Sequence, residues 1–359
     1  MTTMKEIAER MGVSVSTVSL VLNGRDAGRV KPTIAEKVRS TAKALGYKPN
    51  PLARSLRTSR TNILGFISDE IATTPYAGRL ILGAQDAART MGYMLLTVNT
   101  NGDRELEDHE ITTLKQYGVD GFLYACMFNR TVDIPGNLKP LPTVLLDGVD
   151  SSGNVPSITP NEYRIGYDAT QRLIQAGCRS IAYIGAGGTD IPRVSGQVVA
   201  DRYPADIQRE QGYRDALKEA GIDVDEGLMC QVDFNQSALD QVERLFDNRH
   251  PDGVFCFNDA RAWYVYLTAA KRGLVIGKDV SVIGVDNHRL VAETLAPKLT
   301  TVDLPHYEMG YWGTLKLISL IEQRSLSDLK LPATVSPLPS LDDYPAEVHC
   351  TLLNKESVK

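Results

Sequence analysis

The residue patterns that announce an enzyme are missing from this 359-residue sequence. Its five histidines form no HxxxH or HExxH pair, and no GxSxG elbow occurs. Neither metal-assisted hydrolysis nor a serine nucleophile has the side chains it needs. Gly185-Ala186-Gly187-Gly188 follows a strand-like run, but Asp190 stands where the third glycine of GxGxxG belongs, and no GK[ST] follows. A flexible lid is the better reading. Five cysteines (Cys126, Cys178, Cys230, Cys256, Cys350) are scattered without a CxxC, which argues against a zinc ribbon or redox dithiol and fits a reducing compartment. No catalytic residue, metal or cofactor is expected. What remains is a set of polar side chains at the ends of apolar runs: Asp69, Asp147, Asn258-Asp259 and Asp286, with Arg209 opening a helical stretch. Beyond the carboxyl ends of parallel strands such groups can hold a small molecule. The plainer alternative is that they cap the helices that follow, as Asp259 is placed to do.

Charge is unevenly spread. Residues 1–60 carry 12 Lys and Arg against 4 Asp and Glu, whereas the other 299 carry 27 against 40. A basic head on an acidic body suits contact with a polyanion through the head alone. With 43% apolar and 23% charged residues the composition is that of a soluble globular protein with room for two or three domains. No apolar run is long enough for a membrane span, and residues 1–6 lack the basic flank and apolar stretch of a signal peptide. A cytoplasmic location is expected.

The head reads as three helices and a hinge. Thr3-Met4-Lys5-Glu6 has the spacing of a capping box, Ile7, Ala8 and Met11 form an apolar stripe, and Gly12 stops the helix. Ser14 caps a second helix over 15–22, with Val18, Val21 and Leu22 inward and Val15, Ser16 and Ser19 outward. Two short helices about a glycine-containing turn give the helix-turn-helix plan. Small and hydroxyl side chains on the second can approach base edges in a major groove. Those residues alone do not exclude an ordinary α-hairpin. A third helix runs from Pro32 through Ile34, Val38, Thr41 and Leu45 to Gly46. Residues 47–60 then carry Pro49, Pro51, Lys48, Arg54, Arg57 and Arg60 and no acid. Leu52 and Leu56 share one face if this stretch is helical. So short a helix is marginal alone. It suits a segment that orders on DNA, with arginines on phosphates and an apolar wedge at a base step.

The body alternates strand-like and helical runs, the mark of parallel α/β structure. Strands are expected over 63–68, 93–98, 121–125, 143–147, 180–184, 253–258 and 281–286. Helices are expected over 76–91, 106–117, 165–176, 208–220, 239–246, 260–272 and 306–321. Two halves of similar length suggest two lobes about a cleft. A last strand is expected over 348–353, after a proline-rich extended stretch at 331–345.

The run MKEIAERMGVSVSTVSLVLNG, followed by GYKPNPLARSLRTSRTNILGFI, resembles the lactose-repressor (LacI/GalR) family of bacterial transcription regulators. The likeness continues through the body at Val119-Asp120-Gly121-Phe122, Gly253-Val254-Phe255-Cys256-Phe257-Asn258-Asp259, Val282-Ile283-Gly284-Val285-Asp286 and Leu299-Thr300-Thr301-Val302. It implies an all-α helix-turn-helix headpiece over 1–47 and a hinge helix over 48–61. An effector-binding and dimerisation domain follows over 62–359, an α/β core of periplasmic-binding-protein-like fold with two parallel-sheet lobes. Lobe 1 is expected near 62–159 and 292–323, lobe 2 near 160–291 and 324–359. DNA contact is implied for Thr3, Ser14, Val15, Ser16, Thr17, Ser19, Leu20 and Asn23 in the headpiece. In the hinge it is implied for Asn50, Ala53, Arg54, Leu56 and Arg57. Positions matching Asp69, Asp147, Arg209, Asn258 and Asp286 line the effector cleft of the family, and Phe234 matches one that offers an aromatic face. Tyr76 and Leu304 complete the expected set.

The sequence also departs from that family. Leu20 stands where many members carry Arg, so a bidentate guanine contact is lost. Lys31 replaces a Ser or Thr cap, residues 186–208 are longer than usual and can form a lid, and Leu304 replaces a polar cleft residue. The reading is a ligand-controlled repressor: effector binding changes the pose of the lobes, which changes how paired hinges order in the minor groove. Three carboxylates about one arginine disfavour a phosphorylated effector, so a neutral sugar is expected, with Phe234 covering an apolar face. A nucleoside stacked on Phe234, Tyr76 or Trp263 is the runner-up, and a solute-binding protein without a DNA role is the other alternative. A homodimer on a near-palindromic operator is expected, since one helix-turn-helix reads half a site. Only six residues follow the expected last strand, too few for a heptad tail that would pair dimers.

Overall fold

The structure, a computed structural model, describes residues 2–47, 60–69, 71, 74, 78–187, 202–233, 237–326, 329, 332 and 334–359. Contacts divide the chain into two units, Met1–Thr61 and Asn62–Lys359. The first holds α1 (Met4–Met11), α2 (Val15–Leu22) and α3 (Pro32–Ala44) around Ile7, Ala8, Val18, Val21, Ala35, Val38 and Ala42. Thr3 and Glu6 close the capping box reciprocally at 2.9 and 3.2 Å, and Gly12 ends α1 at φ +66°. At Lys31 no side chain caps α3.

The second unit runs β1 (Ile63–Ser68), α4 (Gly78–Thr90), β2 (Met94–Asn99), α5 (Arg104–Gln116), β3 (Gly121–Val132), β4 (Thr143–Asp150) and β5 (Ser157–Pro160). It continues with α6 (Glu162–Gln175), β6 (Ile181–Ala186), α7 (Pro204–Glu219), β7 (Met229–Val232), α8 (Ala238–Arg249), β8 (Gly253–Cys256), α9 (Asp259–Arg272), β9 (Ser281–Val285), α10 (Arg289–Ala292) and β10 (Thr300–Asp303). It closes with α11 (His306–Glu322), β11 (Ala346–Val348) and β12 (Thr351–Leu353). Two six-stranded sheets result, in the orders β11-β5-β4-β3-β1-β2 and β12-β10-β9-β8-β6-β7. All pairs are parallel except β10 with β12. Among the described residues no helix is long and apolar enough to cross a membrane.

Period-two alternation divides each sheet between two cores. In the first lobe Leu64, Phe66, Leu123 and Leu146 face α4 and α11, while Ile67, Phe122 and Leu145 face α5. In the second, Ala182, Ile184 and Val254 face α8 and α9, while Tyr183, Phe255 and Ile283 face α6 and α7. Each lobe also contains one helix pair brought close by glycine. A Cβ at Gly166 of α6 falls 1.9 Å from the Arg209 carbonyl oxygen of α7, and one at Gly212 falls 2.1 Å from that of Tyr163. In the same way Gly83 of α4 meets the Tyr307 carbonyl and Gly310 of α11 meets that of Leu80, each at 1.9 Å.

Lobe membership departs from the expected division. β10, expected in lobe 1, pairs with β9 in the second sheet through Thr300 and Ile283. Leu326, Leu341, Ala346 and Val348, expected in lobe 2, belong to the first and join the core under α11. Lys316 of α11 draws this stretch in by donating to the Leu341 carbonyl at 2.7 Å, and Trp312 donates to that of Ser340 at 3.2 Å. The single strand expected over 348–353 is two strands in different sheets, with His349-Cys350 crossing between them. The chain thus passes between lobes at Asn161, at Leu304-Pro305 and at His349-Cys350. Asn161 ties the first and third passages by donating its N–H to the Val348 carbonyl at 3.0 Å.

Candidate functional site

In the headpiece, α2 sets its side chains in two classes. Ser14 accepts from the Thr17 N–H at 3.1 Å, and the two hydroxyls lie 2.9 Å apart, so both are spent on starting the helix. Asn23 ends it by donating to the Ser19 carbonyl at 2.6 Å and the Ser19 hydroxyl at 3.2 Å. Thr3 likewise serves the α1 cap. Val15 is 46% exposed, Ser16 is exposed and Leu20 is half-buried. The outward row expected for base contact is therefore led by Val15 and Ser16. Asn50, Ala53, Arg54, Leu56 and Arg57 lie outside the described residues, as do Tyr76 and Phe234.

In the second unit, Asp147, Arg209, Asn258, Asp286 and Leu304 converge on one cavity of about 20 Å³, with Met127, Phe128, Pro160, Glu162, Phe257 and His306. Both sheets have the strand order in which ligands meet the carboxyl ends of the strands at a reversal of direction. Asp147 lies within β4, Asn258 and Asp286 lie just beyond β8 and β9, and chain passing between the lobes supplies Pro160 and Leu304. Asp69 is not among these lining residues. It pairs with Arg130 and lines a separate cavity of about 330 Å³ within the first lobe.

Arg209 organises the cleft. Its Nε donates to Glu162 Oε2 at 2.6 Å, its Nη1 donates to the Phe257 carbonyl at 2.5 Å, and its guanidinium lies 4.4 Å over the Phe257 ring. Arg209 and Glu162 are 3% and 2% exposed, a fully desolvated pair. Burial is the largest single influence and opposes the Arg209 charge, but Glu162, by charge and hydrogen bond, together with Asp286 and Tyr183 holds the guanidinium above its ordinary range. Asp147 accepts from the Phe128 N–H at 3.1 Å through one oxygen; the other is buried without a partner among the described residues. Burial, reinforced by Glu162, raises the Asp147 carboxyl well above the usual range. Burial and then Asp259 do the same to Asp286.

Capping is the work of Asn258, not Asp259: its side chain accepts from the Arg261 N–H at 3.1 Å at the start of α9. Asp259 instead accepts from the Thr301 hydroxyl at 2.6 Å and the His288 N–H at 2.7 Å, tying α9 to β10 and the loop after β9.

Cleft residues Glu162, Phe128 and His306 are among those that escape the sequence reading, as is the buried Arg261. Glu162 follows an N-cap, Asn161, which accepts from the Arg164 N–H at 2.9 Å, so it reads as an ordinary first-turn acid. Phe128 sits at φ +68° where β3 loses register between Ala125 and Arg130, and its ring lies 4.1 Å from that of Tyr203. Arg261, 2% exposed, donates from Nε to the Val232 carbonyl at 2.9 Å. His306, 4% exposed, is pushed down to about 4 by burial and then by Arg79 and Arg209.

That last residue carries a pH prediction. Folded His306 stays neutral while the unfolded imidazole takes a proton below about 6.5. Stability is complete above the unfolded value and is lost as pH falls toward about 4. Between pH 7.5 and pH 5 this group should cost about 2 kcal/mol. Asp259, raised to about 7 chiefly by burial, acts in the opposite sense. Comparing urea midpoints of wild type and His306→Gln across this range isolates the histidine: the variant should lose less on acidification, and equal slopes refute the assignment.

A helix-turn-helix unit on one chain with two α/β lobes around a buried polar cleft defines a ligand-responsive DNA-binding regulator. Residues 3–50 match the family described as bacterial regulatory proteins, lacI family. Residues 61–336 match that of periplasmic binding proteins and sugar binding domain of LacI family. The chain belongs to the LacI family of bacterial transcriptional regulators. It is similar to the ribose operon repressor of Escherichia coli (strain K12), with 34% identity over 93% of this chain and 97% of that one. With the transcriptional regulator RegA of Clostridium saccharobutylicum it shares 32% identity over 91% of this chain and 95% of that one. Among solved structures, the regulator CelR in complex with cellobiose matches with a TM-score of 0.61 and 26% identity, over 99% of this chain and 100% of that one.

Proposed function

We propose that this regulator is a cytoplasmic repressor that binds a near-palindromic operator as a homodimer and is controlled by a neutral, hydroxyl-rich effector, a saccharide, in the cleft between the lobes. The observation that carries this reading is the convergence of Asp147, Arg209, Asn258, Asp286 and Leu304 on one cavity. Carboxylates accept from hydroxyl protons, Arg209 donates to ring or hydroxyl oxygens, and the Phe128 and Phe257 rings offer apolar faces. Ribose and cellobiose in the names of two similar proteins support the same class. At about 20 Å³ the cavity is smaller than any sugar, so entry requires the lobes to part. Asp147 and Phe128 then move with the first lobe, Glu162, Arg209 and Asp286 with the second, and effector hydroxyls replace the contacts between them. Such coupling is reciprocal between effector and operator. A nucleoside is the second reading, favoured by the aromatic group of Phe128, Tyr203 and Phe257.

Retention of labelled genomic fragments, with and without saccharides, sugar phosphates and nucleosides, tests both. Loss or gain of retention with a neutral saccharide supports the first reading, and a response confined to phosphorylated ligands overturns it. In the headpiece, Val15 and Ser16 are proposed to meet bases, Arg54 and Arg57 to meet phosphates, and Leu56 to wedge a base step. Leu20→Arg should shift preference at one operator base pair toward guanine by roughly 1–3 kcal/mol. Unchanged base preference places Leu20 off the reading surface.

A further inference from the structure

Phe128 reaches from the first lobe into an apolar recess of the second. Between Ala125 and Arg130 the pairing of β3 with β4 skips from Leu146 to Gly148, so four residues of β3 stand opposite one, Asp147. The surplus bulges out of the sheet. Phe128 and Asn129 make the turn at φ +68° and +54°. For a bulky side chain the left-handed region is disfavoured, and only surroundings that over-determine it hold it there.

Two restraints do so. Asp147 accepts from the Phe128 N–H at 3.1 Å and pins the backbone of the bulge. The ring packs on Ala186, Tyr203, Ala205 and Phe257 of the second lobe, all four of them buried. Its centroid lies 4.1 Å from that of Tyr203 and 6.3 Å from that of Phe257, within the range of attractive aromatic pairs for the second and closer still for the first. The recess stands beside the effector contacts. Tyr203 and Ala205 open α7, which carries Arg209, and the Arg209 guanidinium lies over the Phe257 ring. Parting the lobes withdraws the ring and leaves Asp147 as the remaining restraint of the two. Ring burial therefore favours closure, while the strained backbone gains by opening. Opposed terms of this kind make an element with two arrangements, which a ligand can bias.

We propose, resting on the effector reading of this cleft, that Phe128 is its gate. The ring seals the closed arrangement. An effector displaces it by laying an apolar face on Phe257 while a hydroxyl donates to the Asp147 oxygen that is buried without a partner among the described residues. A ligand with hydroxyls alone leaves the ring in place, so admission requires both features.

Spin labels on cysteines introduced as His109→Cys in α5 and Asn248→Cys in α8, two exposed positions in different lobes, report the separation of the lobes by pulsed dipolar spectroscopy. Cys230→Ser removes the half-buried native thiol, and dilution with unlabelled chain leaves only distances within one chain. In Phe128→Ala the distance should lengthen or broaden. Toluene, which fills an emptied aromatic recess, should restore it and should leave the wild type unmoved. Melting temperatures isolate the backbone: Phe128→Gly should melt above Phe128→Ala, because glycine takes a positive φ freely, the reverse of the usual order of these two residues. Neither measurement contains effector or DNA, so each can fail while the effector reading stands. A wild-type distance in Phe128→Ala, a lengthened distance that toluene does not reverse, or Phe128→Gly melting below Phe128→Ala overturns the gate.

Discussion

Arg209→Ala should lower folding stability by about 3–5 kcal/mol, the usual cost of leaving one member of a buried ion pair alone. Glu162 is 2% exposed and its carboxylate faces the guanidinium at 2.6 Å, so no water stands ready to replace it. The same substitution frees the Phe257 carbonyl and removes the cation above its ring. The double variant Arg209→Met/Glu162→Leu, which removes both charges, should regain most of that stability. Neither variant should respond to effector. Urea midpoints check the first expectation and operator retention the second. A loss below about 1 kcal/mol for Arg209→Ala would mean that the pair is solvated, since exposed pairs cost no more than that.

The second large effect lies at the helix crossings. Gly→Ala inside a helix ordinarily stabilises by up to about 1 kcal/mol. At Gly166 and Gly310 the sign should invert. The added carbon would stand 1.9 Å from a backbone carbonyl of the opposing helix, which no rotamer change can clear. Separating two packed helices strains the core, and we expect a cost of about 3 kcal/mol at either site. The two substitutions should differ in function. Gly166→Ala presses on the carbonyl of Arg209 itself and should displace its guanidinium from Glu162, weakening the effector response. Gly310→Ala presses on Leu80 in the first lobe and should leave that response in place. Melting temperatures together with ligand-dependent operator retention separate the two effects. Stabilisation by either alanine would refute the close approach.

Local pattern told most about this molecule. The capping box at Thr3 and Glu6, the Ser14 cap and the Gly12 stop depend on neighbours three or four residues away, so spacing alone reveals them. Short apolar runs such as 63–68 declared the buried strands. The polar residues that end them marked the cleft because strand ends and ligand crevices coincide in this fold class. What stayed hidden depends on distant partners. Glu162 becomes a cleft residue only when α7 brings Arg209 against it. β11 and β12 are three residues each, too short for a period to speak, and which sheet each joins is decided by neighbours far along the chain. The helix glycines likewise read as small residues on an amphipathic stripe. Their need for a bare backbone appears only when the opposing helix is in place.

The passages between lobes bear on how the protein is made. β11 and α11 complete the first sheet and its core, yet they come after every other strand of the second sheet except β12. That sheet in turn waits for β12, beyond residue 350. Neither lobe is whole until the ribosome has polymerised nearly all of the other. Domains that lie end to end fold one at a time as they emerge, N-terminal first. Here the two lobes must mature together, late, through contacts of long sequence separation, which slow folding. The headpiece, whose core lies entirely within residues 7–42, is free of that delay. A nascent chain can therefore carry a folded helix-turn-helix while the part that senses the effector is still open.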